Sequence, residues 1–178
     1  MQADRIVFPG QGAARDCMLE LKRLGLDKVV KEAVRSKPFL GICMGLQVLL
    51  DVSEENDGVQ GLGIFPGQVR RFPMRMREAQ TGDVLKIPHM GWNQVHQTAS
   101  HPLWQGIAQD SRFYFVHSYY VDPAERAHIA ATAQYGVEFV CAMAHRNVFA
   151  VQFHPEKSHH AGLALLANFV CWDGNVVQ

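Results

Sequence analysis

The chain has 178 residues, 48% of them hydrophobic and 19% charged, and its 17 basic side chains balance 17 acidic ones. High apolar content with zero net charge excludes intrinsic disorder, and the lack of a basic surplus argues against a general nucleic-acid binder. No apolar run approaches the roughly 18 residues of a membrane span, so one globular domain is expected, burying roughly 70% of the surface its unfolded chain exposes.

The first residues, Met1-Gln2-Ala3-Asp4-Arg5, lack the charged-then-apolar pattern of a secretion signal. Arg5 to Phe8 reads as a short strand that runs into the turn Pro9-Gly10-Gln11-Gly12. Apolar residues at helical spacing predict a helix from Asp16 to Leu24, closed by Gly25, and a second from Leu26 to Val34 with Val29, Val30, Ala33 and Val34 inward. Phe39 to Ile42 is a buried strand, and Gly45 to Val52 carries a helical pattern. Strands are expected at Gln68 to Phe72, Arg112 to Val116, Phe139 to Met143 and Val148 to Phe153, and Ala161 to Cys171 forms a closing helix. Helices near both ends with apolar strands between them predict a three-layer α/β domain, its central hairpins extending or flanking the main sheet. The four cysteines, Cys17, Cys43, Cys141 and Cys171, show no C-x-x-C spacing and read as free thiols in a reducing cytoplasm.

Gly41-Ile42-Cys43-Met44-Gly45 stands where a strand hands over to a helix, in the arrangement of a nucleophile elbow with cysteine in place of serine. A sharp turn there strains the central residue and leaves no room for side chains beside it. It also puts Cys43 at a helix N-terminus, where the dipole is expected to lower the thiol pKa. The pentapeptide alone equally describes a buried cysteine in a glycine-rich strand end. His154-Pro155-Glu156 follows the last strand, on the sheet edge where open α/β folds place their sites. Glu156 is spaced to hold the tautomer of His154 that accepts a thiol proton. A thiolate attacking a carbonyl also needs two N–H donors for the oxyanion. The amide of Met44 and one from Gly10-Gln11-Gly12, that of Gln11 or Gly12, would provide them.

Together these segments resemble the class I (triad) glutamine amidotransferases, and more narrowly the glutaminase (HisH) subunits of imidazole glycerol phosphate synthase. The resemblance rests on Val7-Phe8-Pro9-Gly10-Gln11-Gly12, Gly41 to Gln47, Pro88-His89-Met90-Gly91-Trp92-Asn93, Tyr114-Phe115-Val116-His117-Ser118-Tyr119 and Gln152 to Ser158. It implies a flavodoxin-like, mostly parallel sheet with added antiparallel hairpins. It also implies a Cys43 thioester, His154 as base, Glu156 as its partner, and Gln47, Ser118 and Tyr119 around the amino acid part of glutamine. A (β/α)8-barrel, HisF-like cyclase subunit is the implied partner in a heterodimer, met at Trp92, Tyr114 and Lys157. Taken alone, Gln47 is also an ordinary helix residue, Trp92 and Tyr114 fit a core, and Lys157 fits a solvated loop. Because the Pro9-Gly10-Gln11-Gly12 loop can turn one peptide at low cost, it is the expected point of control by that partner.

Members of the family carry a further strand-helix portion ahead of the strand that reaches Pro-Gly-x-Gly, whereas Arg5 already lies in that strand. Residues 1–178 are therefore expected to form one type 1 amidotransferase domain without its first βα portion, and to be impaired when alone. Rival readings are another triad amidotransferase, a stand-alone cysteine hydrolase, and an inactive subunit that only docks on the cyclase. The nine histidines include no paired-ligand spacing for a metal. Gly10-Gln11-Gly12 lacks the third glycine and later acid of a dinucleotide fingerprint, so no organic cofactor is expected.

Overall fold

The computed structural model describes residues 3–78 and 80–175. In chain order the strands are β1 (Ile6–Gly10), β2 (Phe39–Cys43), β3 (Leu50–Ser53), β4 (Val59–Gln60), β5 (Phe65–Arg71) and β6 (His89–Gln94). They continue as β7 (His96–Gln97), β8 (Arg112–His117), β9 (Tyr119–Pro123), β10 (Ile129–Tyr135), β11 (Val137–His145) and β12 (Val148–Val151). The helices are α1 (Ala14–Arg23), α2 (Leu26–Ser36), the single turn α3 (Met44–Gln47) and α4 (His159–Cys171).

The main sheet runs β1-β2-β12-β11-β9-β5-β3-β4, with β10 joined to β11 and to β7, while β6 and β8 form a separate two-stranded sheet. β1, β2 and β12 are mutually parallel; β5, β9, β11 and β12 pair antiparallel in turn. The expected α/β fold is present, and its hairpins do both things anticipated of them: β9 to β11 extend the main sheet and β6–β8 flanks it.

Both faces of β2 and β12 are covered, and for that reason β2 is buried at every residue and reads as an unbroken apolar run. Leu40 and Ile42 of β2 and Phe149 and Val151 of β12 pack against Leu165 and Phe169 of α4. The alternate residues Phe39, Val148 and Ala150 pack toward Met18 and Leu21 of α1 and Val30, Ala33 and Val34 of α2. Val29, expected inward, is 42% exposed, since it lies about 100° around the helix from Val30.

One predicted element is different. The helical pattern of Gly45 to Val52 stops after α3, and Leu50 opens a strand. The carbonyls that would continue the helix are taken by a distant loop: Leu62 N–H donates to Val48 O at 2.7 Å, Ile64 N–H to Leu49 O at 2.8 Å and Gly63 N–H to Leu50 O at 3.1 Å. The strand expected at Gln68 to Phe72 begins earlier, at Phe65, and ends at Arg71.

Three histidines are buried away from any carboxylate partner in the hydrogen bonds they make: His89, His101 and His117. Burial pushes His89 and His101 down to about 4 and His117 down to about 3. Their charged forms are disfavoured in the fold, so below their ordinary value of 6.5 the unfolded chain binds more protons and stability falls with falling pH. Each contributes up to about 1.4 kcal/mol per pH unit. The urea midpoint should therefore decline steadily between pH 6.5 and 5, above the usual carboxylate range; a flat midpoint there would contradict this burial. A second expectation concerns close packing. A Cβ on Gly45 would lie 1.8 Å from the Phe8 carbonyl oxygen of β1, so Gly45→Ala should cost about 3 kcal/mol or more, read as a lowered urea midpoint.

Candidate active site

Parallel pairing of β1 with β2 sets Gly10 directly beside Cys43, and the chain turns into α3 at the next residue. Cys43 is held at φ 55° and ψ −107°, a left-handed backbone that a non-glycine residue adopts only under constraint. The constraint is crowding. A Cβ on Gly41 would meet the Gly45 carbonyl oxygen at 2.7 Å, and one on Gly10 would meet Met44 Cβ at 2.9 Å. The flanking glycines are thus required by contact, as the sequence implied.

The expected lowering of the Cys43 thiol pKa is not found. Burial pushes it up to about 11, assisted by the nearby Glu156 charge and opposed by the Met44 N–H, the Gln152 amide and the Lys157 charge. With only one turn, α3 presents little dipole to offset the loss of water around the sulfur. The resting group is a protonated thiol.

His154 lies three residues past β12. Its Nδ1 is 2.8 Å from Glu156 Oε1, while its Nε2 is buried with no hydrogen-bond partner among the described residues. The histidine segment is clasped by β8: His154 N–H donates to Tyr114 O at 2.9 Å, Tyr114 N–H donates to Ser158 Oγ at 3.0 Å, and Ser158 Oγ donates to His154 O at 2.6 Å.

A cavity of about 350 Å³ brings together Gln11, Gly12, Cys43, Met44, Gln47, Ser118, Tyr119, His154 and Lys157, with Glu55, Pro88, Val116 and His117 completing its wall. An adjoining cavity of about 340 Å³ shares Gln11, His154 and Lys157 with it and adds Gly10 and Glu156. Trp92 and Tyr114 stand apart from both. They face each other across β6 and β8, ring centroids 6.1 Å apart, and Trp92 stacks on His159 at 4.9 Å. Trp92 remains 38% exposed and its neighbour on the same strand face, Met90, 61%, so this is a surface patch and not a core.

Sequence reasoning passed over two groups that the fold brings in. Gln152, fully buried, donates to Cys43 Sγ at 3.6 Å and accepts from Gln47 Nε2 at 3.0 Å. A lone polar residue ending an apolar strand was the available signal. His117 lines the cavity and is bonded to buried His89; two histidines in aromatic segments could have drawn notice, but their pairing depends on strand register. Among the described residues no cluster of three or more His, Cys, Asp or Glu is arranged to hold a metal ion, and no helix is long and apolar enough to cross a membrane.

The glutamine amidotransferase class-I family matches residues 2–171. Imidazole glycerol phosphate synthase subunit HisH 1 of Pseudomonas aeruginosa is 58% identical over 173 residues, 97% of this chain and 80% of that protein. Subunit HisH of Nitrosospira multiformis is 61% identical over 171 residues, 96% of this chain and 80% of that protein. Solved structures agree on the fold. A glutamine amidotransferase from Thermotoga maritima matches with a TM-score of 0.62 at 16% identity, over 96% of this chain and 64% of its own. The glutaminase domain of Trypanosoma brucei CTPS with bound acivicin matches at 0.61 and 19% identity, over 99% and 76%. With relatives this similar along nearly its whole length, the chain belongs to the class I glutamine amidotransferases, within the HisH subunits of imidazole glycerol phosphate synthase.

Proposed function

We propose that Cys43, His154 and Glu156 perform the glutamine hydrolysis of this family, through a glutamyl thioester on Cys43. The activity follows from family membership: the protein hydrolyses glutamine and supplies the ammonia to histidine biosynthesis as one subunit of a synthase. The observation that carries the residue assignment is the shared cavity, lined both by the Cys43 thiol and by a His154 ring whose Nε2 is free and whose Nδ1 is bound to Glu156.

Because the thiol is held neutral, proton transfer accompanies attack. As Cys43 Sγ adds to the carboxamide carbon of glutamine, its proton passes to His154 Nε2, and the imidazolium so formed is stabilised by Glu156 at Nδ1. The same Nε2–H then protonates the departing nitrogen, which leaves as ammonia. A water gives its proton to Nε2 and adds to the thioester, and glutamate departs as the thiol is restored. The oxyanion of each tetrahedral intermediate is taken by the Met44 N–H and by an amide of Gly10-Gln11-Gly12, whose strand end lies beside the nucleophile.

Gln47, Ser118 and Tyr119 hold the amino acid end of glutamine. Gln47 Nε2 is committed to Tyr119 O at 3.1 Å and Gln152 Oε1 at 3.0 Å, which reserves its Oε1 as the acceptor for the substrate ammonium. A (β/α)8-barrel cyclase subunit docks on the face with Trp92, Tyr114 and Lys157, of which Lys157 also lines the cavity. Lys157 is two residues before His159, on which Trp92 stacks, so docking presses on the segment that carries His154 and Glu156. The free thiols suit a cytoplasmic setting.

Cys43→Ala and His154→Ala should each reduce glutaminase kcat by about 10⁵-fold or more, and Glu156→Gln by about ten- to a hundredfold less. Steady-state kinetics on the assembled synthase decide this. Retained turnover in Cys43→Ala, with loss on replacing the exposed Cys171 instead, would refute the nucleophile assignment; equal and mild losses in the other two would make His154 structural.

A further inference from the structure

We infer that the buried His89–His117 pair is a positioning device that fixes the amide of Gln47 and thereby sets the site's selectivity for the amino acid end of its substrate. The inference rests on the proposed role of Gln47. It is carried by one continuous series of hydrogen bonds whose direction has a single self-consistent solution.

Tyr119 O can only accept, and His117 Nδ1 is 2.8 Å from it, so the His117 proton is on Nδ1. His117 Nε2 is then an acceptor, and His89 Nδ1, 2.9 Å away, must donate to it. His89 Nε2 accepts in turn from Asn93 Nδ2 at 3.3 Å, whose other hydrogen goes to Gln134 O at 2.8 Å. Tyr119 O also accepts from Gln47 Nε2, and Gln47 Nε2 donates to Gln152 Oε1, leaving Gln152 Nε2 for Cys43 Sγ. His89 and Asn93 share the inner face of β6, opposite Met90 and Trp92.

Neither ring can rotate freely. His89 is stacked on Tyr135 at 4.0 Å and on Phe115 at 5.0 Å, and His117 is packed against Phe72 and Phe139, each at 5.2 Å. Burial keeps both neutral, so each carries one proton and the series keeps one direction. His117 acts by holding the Tyr119 carbonyl, which with Gln152 Oε1 orients the Gln47 NH₂; without that donor the carbonyl is free to swing away from Gln47, and Gln47 Oε1 is no longer held toward the substrate ammonium.

Two measurements on the assembled synthase test this. In the wild type, ¹⁵N NMR of the imidazoles should read both His89 and His117 as Nδ1–H with bare Nε2 at neutral pH; an Nε2–H tautomer in either overturns the inference whatever the variants do. Second, the kcat/KM ratio between glutamine and its analogue lacking the α-amino group should fall about 10- to 100-fold in His117→Leu. His117→Asn keeps a donor near the Nδ1 position and should restore most of that ratio. If His117→Leu slows both substrates equally, or leaves the ratio unchanged, the pair is structural only. Failure of wild-type glutamine turnover would instead count against the reading of the site as a glutaminase.

Discussion

The close approach of α3 to β1 and β2 is the constraint on which the site depends. Gly45 sits so near the Phe8 carbonyl, and Gly41 so near that of Gly45, that neither position accepts a Cβ. The turn between them must be sharp, and Cys43 takes the left-handed backbone that results. A residue in that conformation persists only when the structure around it over-determines it. Here the surroundings are the parallel strands β2 and β12, buried on both faces with α1 and α2 on one side and α4 on the other, and the edge strand β1 beside them. Cys43 is therefore held by the packed centre of the sheet.

That burial has an electrostatic consequence. Packing deep enough to hold the elbow also removes water from the sulfur, and desolvation outweighs the nearby donors and Lys157. A site built this way holds Cys43 as a thiol at rest. Glu156, bonded to His154 Nδ1, adds to that effect through its charge.

The antiparallel part of the molecule completes the cavity. β8 clasps the His154 segment through Tyr114 and Ser158, and the following residues, Ser118 and Tyr119, line the cavity along with Cys43. β6 lies along the same strand and sends its two faces to different tasks, with His89 and Asn93 turned inward and Met90 and Trp92 outward.

What the sequence determined by itself was the local chemistry: the Gly41-to-Gly45 elbow, the His154-Pro155-Glu156 segment, the parallel strands around them and both long helices of the first half. These are legible because steric rules and hydrophobic period act over a few residues. Only the tertiary structure decided the rest. Gly45 to Val52 has a helical pattern, yet Leu62, Gly63 and Ile64 capture its carbonyls and make a strand of Leu50 to Ser53. The thiol pKa follows burial by residues far along the chain, not the helix dipole that the local pattern suggested. The Gln47, Gln152 and His89–His117 bonds join segments 28 to 105 residues apart, and a register slip of one residue between β6 and β8 would turn His89 or His117 to the opposite face. Pairings of that kind arise from how strands meet, and no local pattern in the chain encodes them.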